Sequence, residues 1–100
     1  MSNKQKFNKI YKQDKNQANS KEDISRLTKI PMKFLDDVYD RGLKAYENTT
    51  KDIKKKVNEN AYAFGRVYAF VVNRKNKTLE FDLDVSSDIR KYKKKQKENK

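Results

Sequence analysis

The chain has 100 residues, 26 Lys and Arg against 14 Asp and Glu, and a formal charge of +12, with neither histidine nor cysteine. That length allows one small domain. Lacking cysteine, it has no disulfide, thiolate nucleophile or thiolate metal site; lacking histidine, it has neither the commonest general base nor the commonest metal ligand. The longest apolar run, residues 67–72, falls far short of the roughly 20 residues that cross a bilayer. No membrane partner is expected, and the basic first 20 residues lack the apolar stretch of a secretory signal, so the protein is read as not secreted.

Charge and hydrophobicity divide the chain in the same way. Residues 1–21 carry six Lys against Asp14, and residues 89–100 carry seven basic side chains against Glu98, while the 67 residues between hold 13 basic and 12 acidic ones. Of the 34 apolar residues, 27 lie between Ile24 and Val85. Segments so poor in apolar surface cannot offset the entropy of ordering. The expected organisation is therefore a basic N-terminal arm (1–20), a small helical domain (21–86) and a basic C-terminal arm or helix (87–100).

In chain order, Ser20 and Asp23 have the spacing of a capping box, which predicts a short helix over 21–28. Pro31 opens the next one. Phe34, Leu35, Val38, Tyr39, Leu43 and Tyr46 then follow the i, i+3, i+4, i+7 pattern of an amphipathic helix over 31–47. Gly42 interrupts it at about 1 kcal/mol relative to Ala, which implies a second backbone close by. After a turn at 48–50, Thr50 or Lys51 caps a second long helix carrying Ile53, Val57, Ala61, Phe64, Val67, Tyr68 and Val71 on one side. Ala61, Gly65 and Ala69, four apart, suit close packing there. A rival reading pairs two alternating runs, 64–72 and 79–85, as a β-hairpin, and both readings stand for 64–72. Ser87 can cap a basic terminal helix beginning at Asp88. The fold class is mainly α, with two long helices, a β-hairpin or strand near 79–85 as the alternative, and extended basic arms.

The central motifs also carry a resemblance. Ile30-Pro31, the run Val38-Tyr39-Asp40-Arg41-Gly42-Leu43-Lys44-Ala45-Tyr46, the run Tyr62-Ala63-Phe64-Gly65-Arg66-Val67-Tyr68-Ala69-Phe70 and finally Asp82-Leu83-Asp84-Val85 resemble a small domain of unknown function met in tailed phages and large DNA viruses. The similarity covers roughly residues 24–85. It implies a mostly helical fold and a viral origin, and it implies no chemistry.

Candidate sites follow from charge. Lys4, Lys6, Lys9, Lys12 and Lys15 in the first arm, with Arg90, Lys91, Lys93, Lys94, Lys95 and Lys97 in the second, suit phosphate groups or an acidic partner. Phe7, Ile10, Tyr11, Ile89 and Tyr92 have no core beside them in sequence. Phe7, Ile10, Tyr11 and Tyr92 are therefore read as anchors that dock into a neighbouring molecule. Glu80, Asp82, Asp84 and Asp88 form the one carboxylate cluster, but without the spacing and glycine of an EF-hand loop. Its simpler role is to pair with Arg66 or Arg74, and Arg66 with Asp82 and Asp84 is the expected structural ion pairing. No catalytic, cofactor or metal residue is assigned, and no enzymatic activity is expected. The leading functional expectation is a small structural or accessory protein of a phage or large DNA virus particle, located in the virion or in host cytoplasm during assembly. It would dock on capsid, portal or neighbouring subunits and touch packaged DNA. The alternative is a non-virion protein that binds nucleic acid without regard to sequence.

Overall fold

A computed structural model describes residues 1–98, apart from the side chain of Glu98. Among the described residues there are six helices and no strand: α1 (Asn3–Ile10), α2 (Lys21–Thr28), α3 (Met32–Glu47), α4 (Lys51–Lys56), α5 (Glu59–Asn76) and α6 (Leu83–Glu98). The capping box at Ser20 and Asp23 starts α2, and Lys29 ends it in a left-handed conformation with its N–H donating to Ser25 O. Pro31 then caps α3 from outside the first turn. Helix α5 is central: α3 crosses it, α1 lies along it, and α2 and α6 pack on α3. Phe7, Ile24, Leu35, Val38, Val67, Phe70, Val85 and Ile89 close the core between them.

Three expectations need correction. The long helix predicted from Thr50 is broken into α4 and α5, because Val57 is extended and the Asn58 side chain accepts from Ala61 N at 2.8 Å, beginning a new helix. Tyr46 Oη donates to the freed Val57 carbonyl at 2.7 Å, so the break leaves that acceptor satisfied.

The β-hairpin is not formed. Residues 64–72 lie inside α5, where Ala63, Val67, Tyr68, Phe70, Val71 and Val72 are all buried. A helix covered on several sides is apolar around much of its circumference, which produces the alternation that reads as a strand. The stretch 77–82 is a connecting loop whose Leu79 and Phe81 lean on the core, and α6 begins at Leu83, ahead of the predicted start at Asp88.

The extended arms are not seen either. Ser2 and Gln5 make a capping box that starts α1, and Phe7 enters the core against Tyr11 and Tyr68, with ring centroids 4.7 and 5.3 Å away. The polar stretch after α1 is held by the buried Asn8 side chain. Its Nδ2 donates to the carbonyls of Lys15 and Gln17 at 3.0 and 3.1 Å, and its Oδ1 accepts from Gln13 and Asn19, both at 3.0 Å. All four hydrogen-bonding positions of that amide are used, and Asn19 also donates to Tyr68 Oη. At the other end Val85 and Ile89 are buried, so α6 belongs to the same core. Residues 99 and 100 of the expected C-terminal arm lie outside the described residues.

The close approach implied by Gly42 is present. A Cβ there would lie 2.8 Å from Ala63 Cα and 3.2 Å from Ala63 Cβ, so glycine permits the α3–α5 crossing. The line of small residues at 61, 65 and 69 is not what packs there, since Ala61 and Gly65 are exposed and a Cβ at Gly65 would meet nothing within 4 Å. Opposite outcomes follow for two identical substitutions. Gly42→Ala overpacks a backbone contact and loses about 1–2 kcal/mol net, whereas Gly65→Ala gains about 0.5–1 kcal/mol from helix propensity. Thermal unfolding followed by circular dichroism checks this: the first variant melts several degrees below the parent and the second above it.

Candidate functional site

The polar centre of the fold is an arginine–aspartate staple where α3, α5 and the start of α6 meet. Helix α5 ends at Lys77 in a left-handed conformation, and Thr78 N donates back to Asn73 O at 2.9 Å. The loop then carries Phe81 to within 5.6 Å of the Arg66 guanidinium and reaches Asp82, whose φ of 52° turns the chain into α6. Asp is among the few residue types that enter the left-handed region readily. The Asp82 side chain is only 3% exposed. Its Oδ1 accepts from Arg41 Nη1 at 3.0 Å and from Arg66 Nη2 at 2.9 Å, and its Oδ2 accepts from Arg66 Nε at 3.0 Å.

Arg41 gathers the remaining carboxylates. Its Nη1 and Nη2 donate to the two oxygens of Asp84 at 2.9 and 2.7 Å, and its Nε donates to Asp37 Oδ1, one helical turn earlier, at 3.1 Å. The planar five-donor guanidinium suits this branching in a way an ammonium would not. The hydrogen bond to Asp84, and then that to Asp82, raises the Arg41 pKa still further above its ordinary value. Reciprocally, the Arg41 hydrogen bond pushes the Asp84 carboxyl down to about 2. Asp82 and Asp84 are thus engaged by guanidinium groups, and among the described residues no group of three acidic side chains is placed to hold a metal ion. The arrangement fixes geometry: it ties three helices to one buried carboxylate.

Asp82 lies between Arg66 and Arg41, whereas Asp84 is held by Arg41 rather than by Arg66. Arg41 is the member that the sequence reading missed. Its local signal was the i, i+4 spacing from Asp37, but its main partners are 41 and 43 residues away. Arg74, the other partner considered for the carboxylates, takes no part in the staple.

The four residues read as anchors dock inside this chain. Phe7 is fully buried, Ile10 and Tyr11 pack against the core, and Tyr92 meets Phe34 edge-on at 6.0 Å with Lys33 beside both rings. The basic residues stay outside. Lys6, Lys9, Lys12 and Lys15 are exposed and Lys4 is partly covered; on α6, Arg90, Lys91, Lys94, Lys95 and Lys97 are exposed and Lys93 is partly covered. None of them makes an ion pair among the described residues. Among the described residues these cations are therefore unpaired, while the apolar residues beside them fix α1 and α6 to the core.

These features define a small all-α basic domain closed by a buried ion-pair staple. A family model described as a family of unknown function (DUF5824) matches residues 2–90, from the cap of α1 through the first half of α6, and the chain belongs to that family. No curated protein and no solved structure matches the chain.

Loss of the buried carboxylate charge is the costly change. Asp82→Asn keeps a side chain that tolerates the left-handed backbone but leaves two guanidinium groups without their shared counter-charge, at about 2–3 kcal/mol by urea unfolding. Asp84→Asn, at an exposed pair, moves the urea midpoint far less than Asp82→Asn does. The Asp84 pKa in the folded chain lies below the unfolded value of about 4. Its contribution is therefore present above about pH 4 and is lost as pH falls through about 2. In an NMR titration the Asp84 carboxyl has its midpoint near 2, and Arg41→Gln returns it toward 4.

Proposed function

We propose that this protein is a non-enzymatic, basic accessory protein that binds the phosphate backbone of nucleic acid, with the particle of a tailed phage or large DNA virus as its setting. One observation carries the reading: the exposed cations of α6 stand on one side of a helix whose other side is anchored in the core. Arg90, Lys94 and Lys97 follow the i, i+4, i+7 stripe opposite Val85, Ile89 and Tyr92, and Lys91 and Lys95 run along one edge of it. From Arg90 to Lys97 the axis advances about 10 Å, so the array can span neighbouring phosphates. The backbone that carries these cations is already ordered by the helix, so only their side chains lose freedom on binding. With no pairing carboxylate among the described residues, their charge is available to a partner.

Contact through phosphates is independent of base sequence and sensitive to salt, because each neutralised phosphate releases counterions. In the particle, capsid, portal or neighbouring subunits would hold the body of the domain while the α6 face lies against packaged DNA. The internally paired staple keeps that body rigid, and no catalytic step is assigned to it.

Fluorescence anisotropy with a labelled DNA duplex tests the reading. Five α6 contacts give a slope of log K on log salt of about −4.5, so affinity falls about three-thousandfold between about 50 and 300 mM. Replacing Lys91, Lys94, Lys95 and Lys97 together by Gln reduces that slope by about 3.6 and leaves the melting temperature unchanged. Absence of binding by the parent at low salt contradicts the nucleic-acid reading, and absence of the protein from purified particles contradicts the setting.

A further inference from the structure

A second cationic feature, which shares Arg90 with the α6 outer face, lies in a cleft between the end of α5 and the side of α6. Arg74, Lys77, Leu79, Leu83, Ser86 and Arg90 line an open cavity of about 480 Å³. Arg74 lines it, and its Nε, itself buried, donates to no acceptor among the described residues. A buried donor without a partner costs free energy, and here it belongs to a permanently charged group. The nearby charges deepen the deficit. Burial first, and then the charge of Arg90, lower the Arg74 pKa, with only the Tyr11 phenol acting the other way. Lys93 is lowered by burial and then by the charges of Arg74 and Lys29. No carboxylate pairs with any of these cations among the described residues. Elsewhere the same chain gives its half-buried arginines, Arg41 and Arg66, carboxylate partners at 2.7–3.0 Å.

We propose that this cleft is a binding site for a phosphate ester, with Arg74 and Arg90 on the phosphate oxygens, Lys77 at the rim, and Leu79 and Leu83 against the carbon part of the ligand. Guanidinium groups match a tetrahedral oxyanion through paired N–H donors, and a bound phosphate turns a like-charge cluster into a balanced one. The cavity is several times larger than one phosphate ion, so there is room for the group esterified to it. Leu83, 57% exposed at the first turn of α6, gives the mouth an apolar side that a simple inorganic anion would not use. The ester is either the terminal phosphate of a nucleic-acid strand or a free nucleotide. The first source rests on the nucleic-acid reading above, and the second does not.

Thermal unfolding of the full chain is the first test, with a nucleoside 5′-monophosphate, inorganic phosphate and sodium chloride compared at equal ionic strength. A ligand that binds only the folded chain raises its melting temperature. The monophosphate is expected to raise it by several degrees beyond chloride, and inorganic phosphate by less. Arg90→Gln and Lys77→Gln, both at exposed positions that leave the core intact, abolish the extra shift, whereas replacing Lys94, Lys95 and Lys97 by Gln leaves it in place. An equal shift with chloride, or a full shift surviving in Arg90→Gln, overturns the site. Short single strands with a 5′-phosphate or a 5′-hydroxyl then separate the sources. About tenfold tighter binding of the phosphorylated strand supports a strand terminus. A monophosphate shift persisting in a protein that binds no DNA supports the free ester and removes the nucleic-acid reading alone.

Discussion

Asp82 stands where three helices meet, nearly withdrawn from water, with Arg41 of α3 on one side and Arg66 of α5 on the other. Its backbone also starts α6, since its carbonyl accepts from Ser86 N at 3.2 Å. One residue thus sets both the direction of the last helix and its attachment to the central pair. Ion pairs of this kind add little net stability over apolar packing, but removing one member is expensive. Their contribution is to select one arrangement from several that a core of small and medium side chains could accept.

The position of α6 decides where the charge goes. Val85 and Ile89 face inward, so the array from Arg90 to Lys97 is carried on the outside of a fixed helix. At the opposite end α1 is fixed by Phe7 and by the amide network around Asn8. The staple pairs Arg41 and Arg66, whereas the cations of α1 and of α6 before Glu98 make no ion pair among the described residues. The positive charge at residues 90–97 is therefore carried on a surface that the helix has already shaped.

The elements with sharp local signals were legible in the sequence. The capping box at Ser20 gave α2, the stripe from Phe34 to Tyr46 gave α3, and Gly42 announced the close crossing that Ala63 completes. Helix α5 was ambiguous because burial on several sides blurs its 3.6-residue period, and the break at Val57 was hidden because Ile53, Val57 and Ala61 continue a helical spacing across it. The chain ends misled for a different reason. Apolar density undercounts a segment whose few apolar residues sit one turn apart, as Phe7, Ile10 and Tyr11 do, and it gives no credit to Asn8, whose amide replaces an apolar seal with four hydrogen bonds. Arg66 and Asp82 could be matched because they are close in sequence. Arg41 could not, because its partners are brought to it only by the fold.

Native-state hydrogen exchange of the backbone amides in the full chain tests most directly whether both basic ends belong to one cooperative core. Amides in residues 7–11 of α1 and 86–90 of α6 should be protected, with opening free energies rising toward those of α5, and Asp82→Asn should lower protection in α6 first. Exchange at random-coil rates throughout both segments, while α3 and α5 stay protected, would contradict the account and return the cations to free arms.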